Sequence, residues 1–354
     1  MRQEKFWVLG MKSESTRVKV SKDQIIRDLR KIGVDRGDHL GVALSLKSIG
    51  HVQGGPEAFI DALLEVVGLN GTVMMNTFTR FFPLSWTPLG YIFDWKLTPA
   101  YTGLVPETLR RRKNSIRSRH PTYSVTAIGR LAKQLTENHD ENSSPFLPYS
   151  KLARVGGKYL SIGIGNRLVA IRHEAQRLAG LFDEIPFFHS VRYRTDEGKV
   201  KTFVTRDYGC VDKLPELVPI LRRKGILKTG KIGMAYSILA PARELINGMT
   251  EMLKENPTLN LCDNISCLWC RELERRMTLF KDIENPKYFQ KNILIRRIIA
   301  SFNSFRLKKY YFLSFRNWKG NEPRERKKLK FMTLTILTML HLTLRSRLIH
   351  ERRH

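Results

Sequence analysis

Between about Val20 and Asn256, apolar runs of strand length alternate with helical patterns of about a dozen residues, and turn residues sit at the joins. A chain that keeps switching between these two periods must lay helices over the faces of a sheet, because neither element can bury its apolar side alone. Ser21 followed by Gln24 reads as a capping box, Ile25, Ile26, Leu29 and Ile32 share one helical face, and Gly33 supplies the stop. A buried strand is expected over 39–45. The loop 51–57 follows, and its Pro56 suits the first position of a helix carrying Phe59, Ile60, Leu63, Leu64 and Val67. Further strands are expected over 71–77, 123–128, 158–164 and 233–238, and a last helix runs from about 241 to 254. The fold class is α/β, a mixed central sheet flanked by helices.

With 42% hydrophobic residues in 354, the chain can fill a core, which excludes wholesale disorder. The charge is uneven. Lys+Arg number 62 against 33 Asp+Glu, a formal +29, yet 19 basic and 5 acidic residues fall in 281–354, so about half of the imbalance lies in the last fifth. Residues 1–277 are expected to form one domain and 278–354 a basic tail, poorly ordered or helical. Read plainly, the tail is a solvated appendage. The less favoured reading is contact with nucleic acid or an anionic membrane surface.

The longest uncharged apolar stretch, 331–344, falls short of the roughly 20 residues a spanning helix needs. The short apolar run 6–9 lacks the layout of a secretory signal. Four cysteines cannot build a secreted disulfide framework. A cytoplasmic protein is the expectation.

Several segments could carry chemistry. Ser45-Leu46-Lys47-Ser48-Ile49-Gly50 ends a strand shortly before a helix, where free amides and small hydroxyl residues let an anionic ligand approach. Arg110-Arg111-Arg112-Lys113 and Arg117-Ser118-Arg119-His120-Pro121 put cations beside a strand, either as a phosphate clamp or as a solvated helix end. The aromatic-rich insertion 80–102 is either a substrate wall or packing against the sheet. His173 stands where a helix opens past a strand end. Cys262, Cys267 and Cys270 lie within nine positions and look like part of a structural zinc site, with Cys210 or a distant histidine as fourth ligand. The alternative is three reduced thiols.

Taken in order, Ser45 to Gly50, Gly54-Gly55-Pro56-Glu57, Gly71-Thr72-Val73 with Thr77-Phe78-Thr79, Gly103-Leu104-Val105-Pro106-Glu107, Arg117 to Pro121, Gly156-Gly157-Lys158 and His173 resemble the aminoglycoside 3-N-acetyltransferase family. The likeness spans about 20–255. It implies an acetyl-CoA-dependent N-acyltransferase with the antibiotic N-acetyltransferase fold, acting on an amine-bearing small molecule or sugar, and links the chain to antibiotic resistance. Carried over, Ser45, Leu46, Lys47 and Ser48 meet the pantetheine arm and pyrophosphate, with Thr77, Arg117 and Ser118 as further cofactor-binding residues. His173 and His120 are the catalytic histidines.

Two positions depart from the family pattern: Ala43 stands where many members have histidine, and Gln176 where a glutamate follows the helix-opening histidine. An ammonium must lose a proton before it attacks a thioester, and histidine is the usual acceptor. With the glutamate gone, Glu174, Asp207 and Asp212 are the candidate carboxylate partners of His173, Asp207 being the one assigned a catalytic role. Backbone amides of the serine loop or the Thr77 hydroxyl are the candidate oxyanion donors, and transfer is expected to be direct, without a Cys210 nucleophile. The +15 on the first 280 residues points to an acceptor less cationic than an aminoglycoside, such as an amino sugar. The alternative function is a family member that binds CoA or a sugar without turnover.

Overall fold

A computed structural model describes residues 18–83, 88–181, 188–206 and 216–264, together with Cys267, Cys270, Arg271 and Glu274. The tail 278–354, Cys210, Asp207 and Asp212 lie outside these residues. In chain order the elements are β1 (Lys19–Val20), α1 (Lys22–Ile32), β2 (His39–Leu44), α2 (Leu46–Ile49), β3 (His51–Val52), α3 (Gly55–Val67), β4 (Thr72–Asn76), β5 (Phe82–Pro83), β6 (Ile92–Phe93), α4 (Leu104–Arg111), β7 (Ile116–Arg117) and β8 (Val125–Gly129). There follow α5 (Ala132–Thr136), α6 (Leu147–Arg154), β9 (Lys158–Ile162), α7 (Ile171–Leu178), β10 (Phe188–Arg194), β11 (Val200–Arg206), α8 (Leu217–Arg223), β12 (Lys228–Ile232), β13 (Ala235–Pro241) and α9 (Ala242–Glu255).

Local signals explain the first helices. The Ser21 hydroxyl accepts from the Gln24 amide at 3.2 Å, and Gly33 closes α1 at φ +107°, a conformation that disfavours any residue with a Cβ. Proline stands in the first turn of α3, as expected.

Seven strands form the main sheet in the order β12-β13-β9-β2-β4-β8-β7. β9, β2 and β4 are parallel, while β13 and β8 run antiparallel on either side. Both faces are covered. Val73 and Met75 of β4, with Leu160 and Ile162 of β9, pack under α1, α3 and α4; Met74 and Tyr159, one residue out of phase, pack under α5 to α9. The strict alternation is the period of two that a strand imposes. Gly41 lets α6 approach β2, since a Cβ there would lie 2.7 Å from the Leu152 side chain.

A second sheet, absent from the sequence reading, pairs β11 with β10 as a hairpin and adds β5 and β6 along the other edge of β10. The insertion 80–102 supplies β5 and β6, so it belongs to this sheet. No described helix is long and apolar enough to cross a membrane.

Candidate active site

The three parallel strands end along one edge, the position where α/β sheets gather ligands. The serine turn follows β2, Thr77 follows β4, and the loop to α7 follows β9. Because β8 runs the opposite way, its start lies at the same edge: the Thr77 amide donates to the Ser124 carbonyl at 2.8 Å and that of Thr79 to Thr122 at 3.1 Å. The serine turn, Thr77, the segment 117–121 and the loop into α7 thus meet at this edge, whereas Gly71 and Gly156-Gly157 lie at the opposite one, where β4 and β9 begin.

Ser45 caps the short α2 and its turn is half-exposed, with Lys47 open to solvent. The Ser48 hydroxyl donates to the Gly163 carbonyl at 2.9 Å and lies 2.9 Å from the Ser45 hydroxyl. Gly163 has φ +66°, and a Cβ there would lie 2.4 Å from that of Ser48. The ends of β2 and β9 are thus locked together by a contact only glycine permits.

His173 is half-buried on α7 and stacks on Phe146 at 5.1 Å between centroids, with 26° between planes. Its Nδ1–H donates to Oε1 of the fully buried Gln176 at 2.7 Å. An amide oxygen only accepts, so the proton of the neutral ring sits on Nδ1 and the lone pair on Nε2. Gln176 therefore fixes the tautomer that a carboxylate was expected to fix. Glu174 does not: it is buried and accepts from the Ser150 hydroxyl and from Arg177, at 2.9 Å (Nε) and 2.8 Å (Nη2).

Just ahead of α7, the buried Leu168 and Ala170 hold φ +41° and +67°. Such conformations persist only where surroundings dictate them, and here the Tyr159 hydroxyl donates to the Val169 carbonyl at 2.9 Å.

His120 is fully buried. Its Nδ1 accepts from the Tyr123 amide at 3.1 Å and the Thr122 amide at 3.3 Å, which puts the proton on Nε2, and Nε2 has no partner among the described residues. The ring stacks on His139 at 4.9 Å. Sequence reasoning missed His139, whose Nδ1 lies 2.9 Å from the Ser118 hydroxyl and whose Nε2 donates to the Pro145 carbonyl at 3.1 Å. It missed the rings between the two chosen histidines as well: Tyr123 lies 5.8 Å from His120 and 5.3 Å from Phe146, which stacks on His173. Their only sequence signal is an aromatic residue near each motif.

Burial pushes His120 well below the ordinary histidine range, with His139 beside it acting the same way, and pushes His139 down to about 3. Both are neutral at pH 7. Their folded pKa values lie below the unfolded one, so the stability they allow is complete above pH 6.5 and is lost as pH falls from there toward 3. Urea unfolding between pH 6.5 and 4 should lose about 1.4 kcal/mol per pH unit for His139 alone. His139→Gln should flatten that slope; an unchanged slope would mean the ring protonates without unfolding.

Thr77, Arg117 and Ser118 are buried, and their polar groups face other parts of the protein. The Thr77 hydroxyl donates to the Ser124 carbonyl at 3.2 Å and lies 3.0 Å from the Thr126 hydroxyl. Ser118 accepts from the Val125 amide at 2.9 Å. The Arg117 guanidinium donates to the Thr77 carbonyl at 2.7 Å, the Trp95 carbonyl at 3.3 Å and the Ser124 hydroxyl at 3.1 Å, donates also to the Thr98 carbonyl, and lies over Phe93. Burial, with Arg110 nearby, lowers its pKa to about 10. It clamps the insertion onto the end of β4. The next cations are paired too, Arg110 with Glu107 and Arg112 with Glu57 and Asp61, so a phosphate clamp there would have to displace carboxylates.

An imidazole with a defined lone pair and a half-open turn each follow a strand that ends at this edge. The sequence profile of the family described as aminoglycoside 3-N-acetyltransferase matches residues 42–254. Aminoglycoside N(3)-acetyltransferase VII of Streptomyces paromomycinus is 34% identical over 266 residues, covering 64% of this chain and 89% of its own. Among solved structures, AAC-VIa bound to sisomicin is 26% identical at a TM-score of 0.60, covering 67% of this chain and 98% of that one. AAC-IIIb in a binary complex with CoASH is 23% identical at a TM-score of 0.59, covering 67% and 97%. The last likeness is one of fold.

Proposed function

We propose, from the premise that this chain belongs to the aminoglycoside 3-N-acetyltransferase family, that it transfers the acetyl group of acetyl-CoA to an amine of an aminoglycoside. The observation that carries the reading is the 2.7 Å hydrogen bond from His173 Nδ1 to Gln176, which leaves Nε2 as proton acceptor on a half-buried ring at the sheet edge. Nε2 takes a proton from the incoming ammonium or amine. The nitrogen then forms its bond to the acetyl carbon, the carbon–sulfur bond breaks, and the electron pair leaves with the sulfur of CoA, which takes up a proton. The half-open serine turn, Ser45 to Ser48, is the assigned contact for the CoA arm, and its backbone amides are the candidate oxyanion donors. The buried Thr77 hydroxyl is the weaker candidate, being engaged by β8.

An amino-sugar acceptor of lower charge, favoured by the net charge alone, gives way here to the polycation. Tyr193 bonds Glu141 at 3.0 Å, and Asp140, Glu141 and Glu197 together raise its pKa to about 12, with burial contributing most. Phe203 links that tyrosine to His120, at 6.4 Å and 5.3 Å. Glu141 thus lies one ring away from His120, a carboxylate that an amine of the acceptor can approach. Gln176 also removes half of the motive for a member without turnover, since it orients the ring.

The test is thiol release from acetyl-CoA with a panel of aminoglycosides and neutral-backbone amino sugars. Release that depends on an aminoglycoside, with the product heavier by one acetyl group, is expected. Release confined to amino sugars would restore the less cationic acceptor. CoA binding without release on any amine would favour the binding-only member.

A further inference from the structure

We propose that Cys262, Cys267 and Cys270 bind a structural zinc ion that braces the helix carrying His173. Their sulfur atoms all lie within 4.8 Å of one another. Tetrahedral zinc at a Zn–S distance of about 2.3 Å needs its sulfurs roughly 3.8 Å apart, so small side-chain adjustments suffice. A [4Fe–4S] cluster anchors each cysteine on a different iron and needs them spread wider. None of the three is held in a disulfide. The Cys262 amide donates to Cys270 Sγ at 3.1 Å, the contact that stabilises a thiolate ligand. Arg271, itself paired with Glu274, donates to the Cys262 carbonyl at 2.8 Å and holds the backbone of the first ligand in place. A tetrahedral zinc takes one further ligand beside these three thiolates.

The location gives the ion its role. Leu261, Cys262 and Cys270 are buried together against Leu181. The Leu181 amide donates to the Gln176 carbonyl at 3.1 Å, so Leu181 ends the turn that follows α7. The same residue packs on the core beneath α5 to α9. A zinc-closed loop at 262–270 would therefore hold the far end of the helix whose near end presents His173. This rests on the cysteine cluster alone and stands whether or not the chain acetylates anything.

The experiment is metal analysis of the full chain purified without chelator, followed by a mercurial titration that reports freed zinc with a chromogenic indicator. About one zinc per chain is expected, released as the thiols are blocked. Cobalt exchanged into the wild-type protein should give an intense thiolate-to-metal band in the near ultraviolet. Cys267→Ser, at the half-buried position, should lower occupancy at least about tenfold while circular dichroism stays unchanged. Chelation should lower Tm by several degrees, restored by adding zinc back. Zinc-free protein whose thiols all react at once, a disulfide found by mass mapping, or bound iron would each overturn the proposal.

Discussion

His173→Ala is expected to lower kcat/KM for acetyl transfer by about 10²–10⁴, the range typical for removing a general base, with Tm within a degree or two of the parent. The ring is half-buried and its Nδ1 bonds Gln176 on the same helix, so the loss should fall on rate rather than on folding. Gln176→Glu is the companion. A carboxylate at 2.7 Å favours the imidazolium where an amide does not, so the acid limb of the pH–rate profile should move up by about one pH unit or more. That shift separates a base from a ring that merely packs on Phe146. If His173→Ala kept activity within about tenfold of the parent, or if the pH profile ignored Gln176→Glu, the proton would be going elsewhere.

Arg117→Met should be the most destabilising of the substitutions at this edge, by about 2–4 kcal/mol. The methionine fills the stem's volume but leaves the Trp95 and Thr98 carbonyls of the insertion without their donor, and the Thr77 carbonyl loses one of two. Buried acceptors without partners cost about 1–3 kcal/mol each. Relief of the charge's own burial, visible in its pKa of about 10, offsets part of the loss. Thermal unfolding should drop by on the order of 5–10 °C, and limited proteolysis should cut first within the insertion. If Tm held while KM for acetyl-CoA rose, the guanidinium would be serving CoA phosphates instead of the insertion.

How much of this was legible beforehand differs element by element. The capping of α1 by Ser21, its stop at Gly33 and the proline start of α3 depend on neighbours within four residues, and the sequence reading finds all three. The β10–β11 hairpin pairs locally but its sequence is heavily charged and hides the alternation of a strand, and β5 and β6, about a hundred residues earlier, join it only through the tertiary fold. At the site, His173 and the serine turn could be chosen from strand-end position and resemblance. The partner of His173 could not: three carboxylates were weighed, one proved tied to Arg177 and Ser150, two lie outside the described residues, and the acceptor was the glutamine itself.

The amino-acid order alone determined the alternation of strand and helix, hence a sheet with helices on both faces, because the periods of two and 3.6 are local properties of the backbone. It also determined which segments end a strand, and so which residues could meet a ligand. Only the tertiary structure decided what each polar group does there. Arg117, Ser118 and Thr77 look in sequence like ligands for phosphate and pantetheine, yet their donors and acceptors close on carbonyls, amides and hydroxyls brought in from β8 and the insertion. Most buried polar groups are paired, and the partner is set by what the fold places within about 3 Å, which is information no local stretch of chain contains.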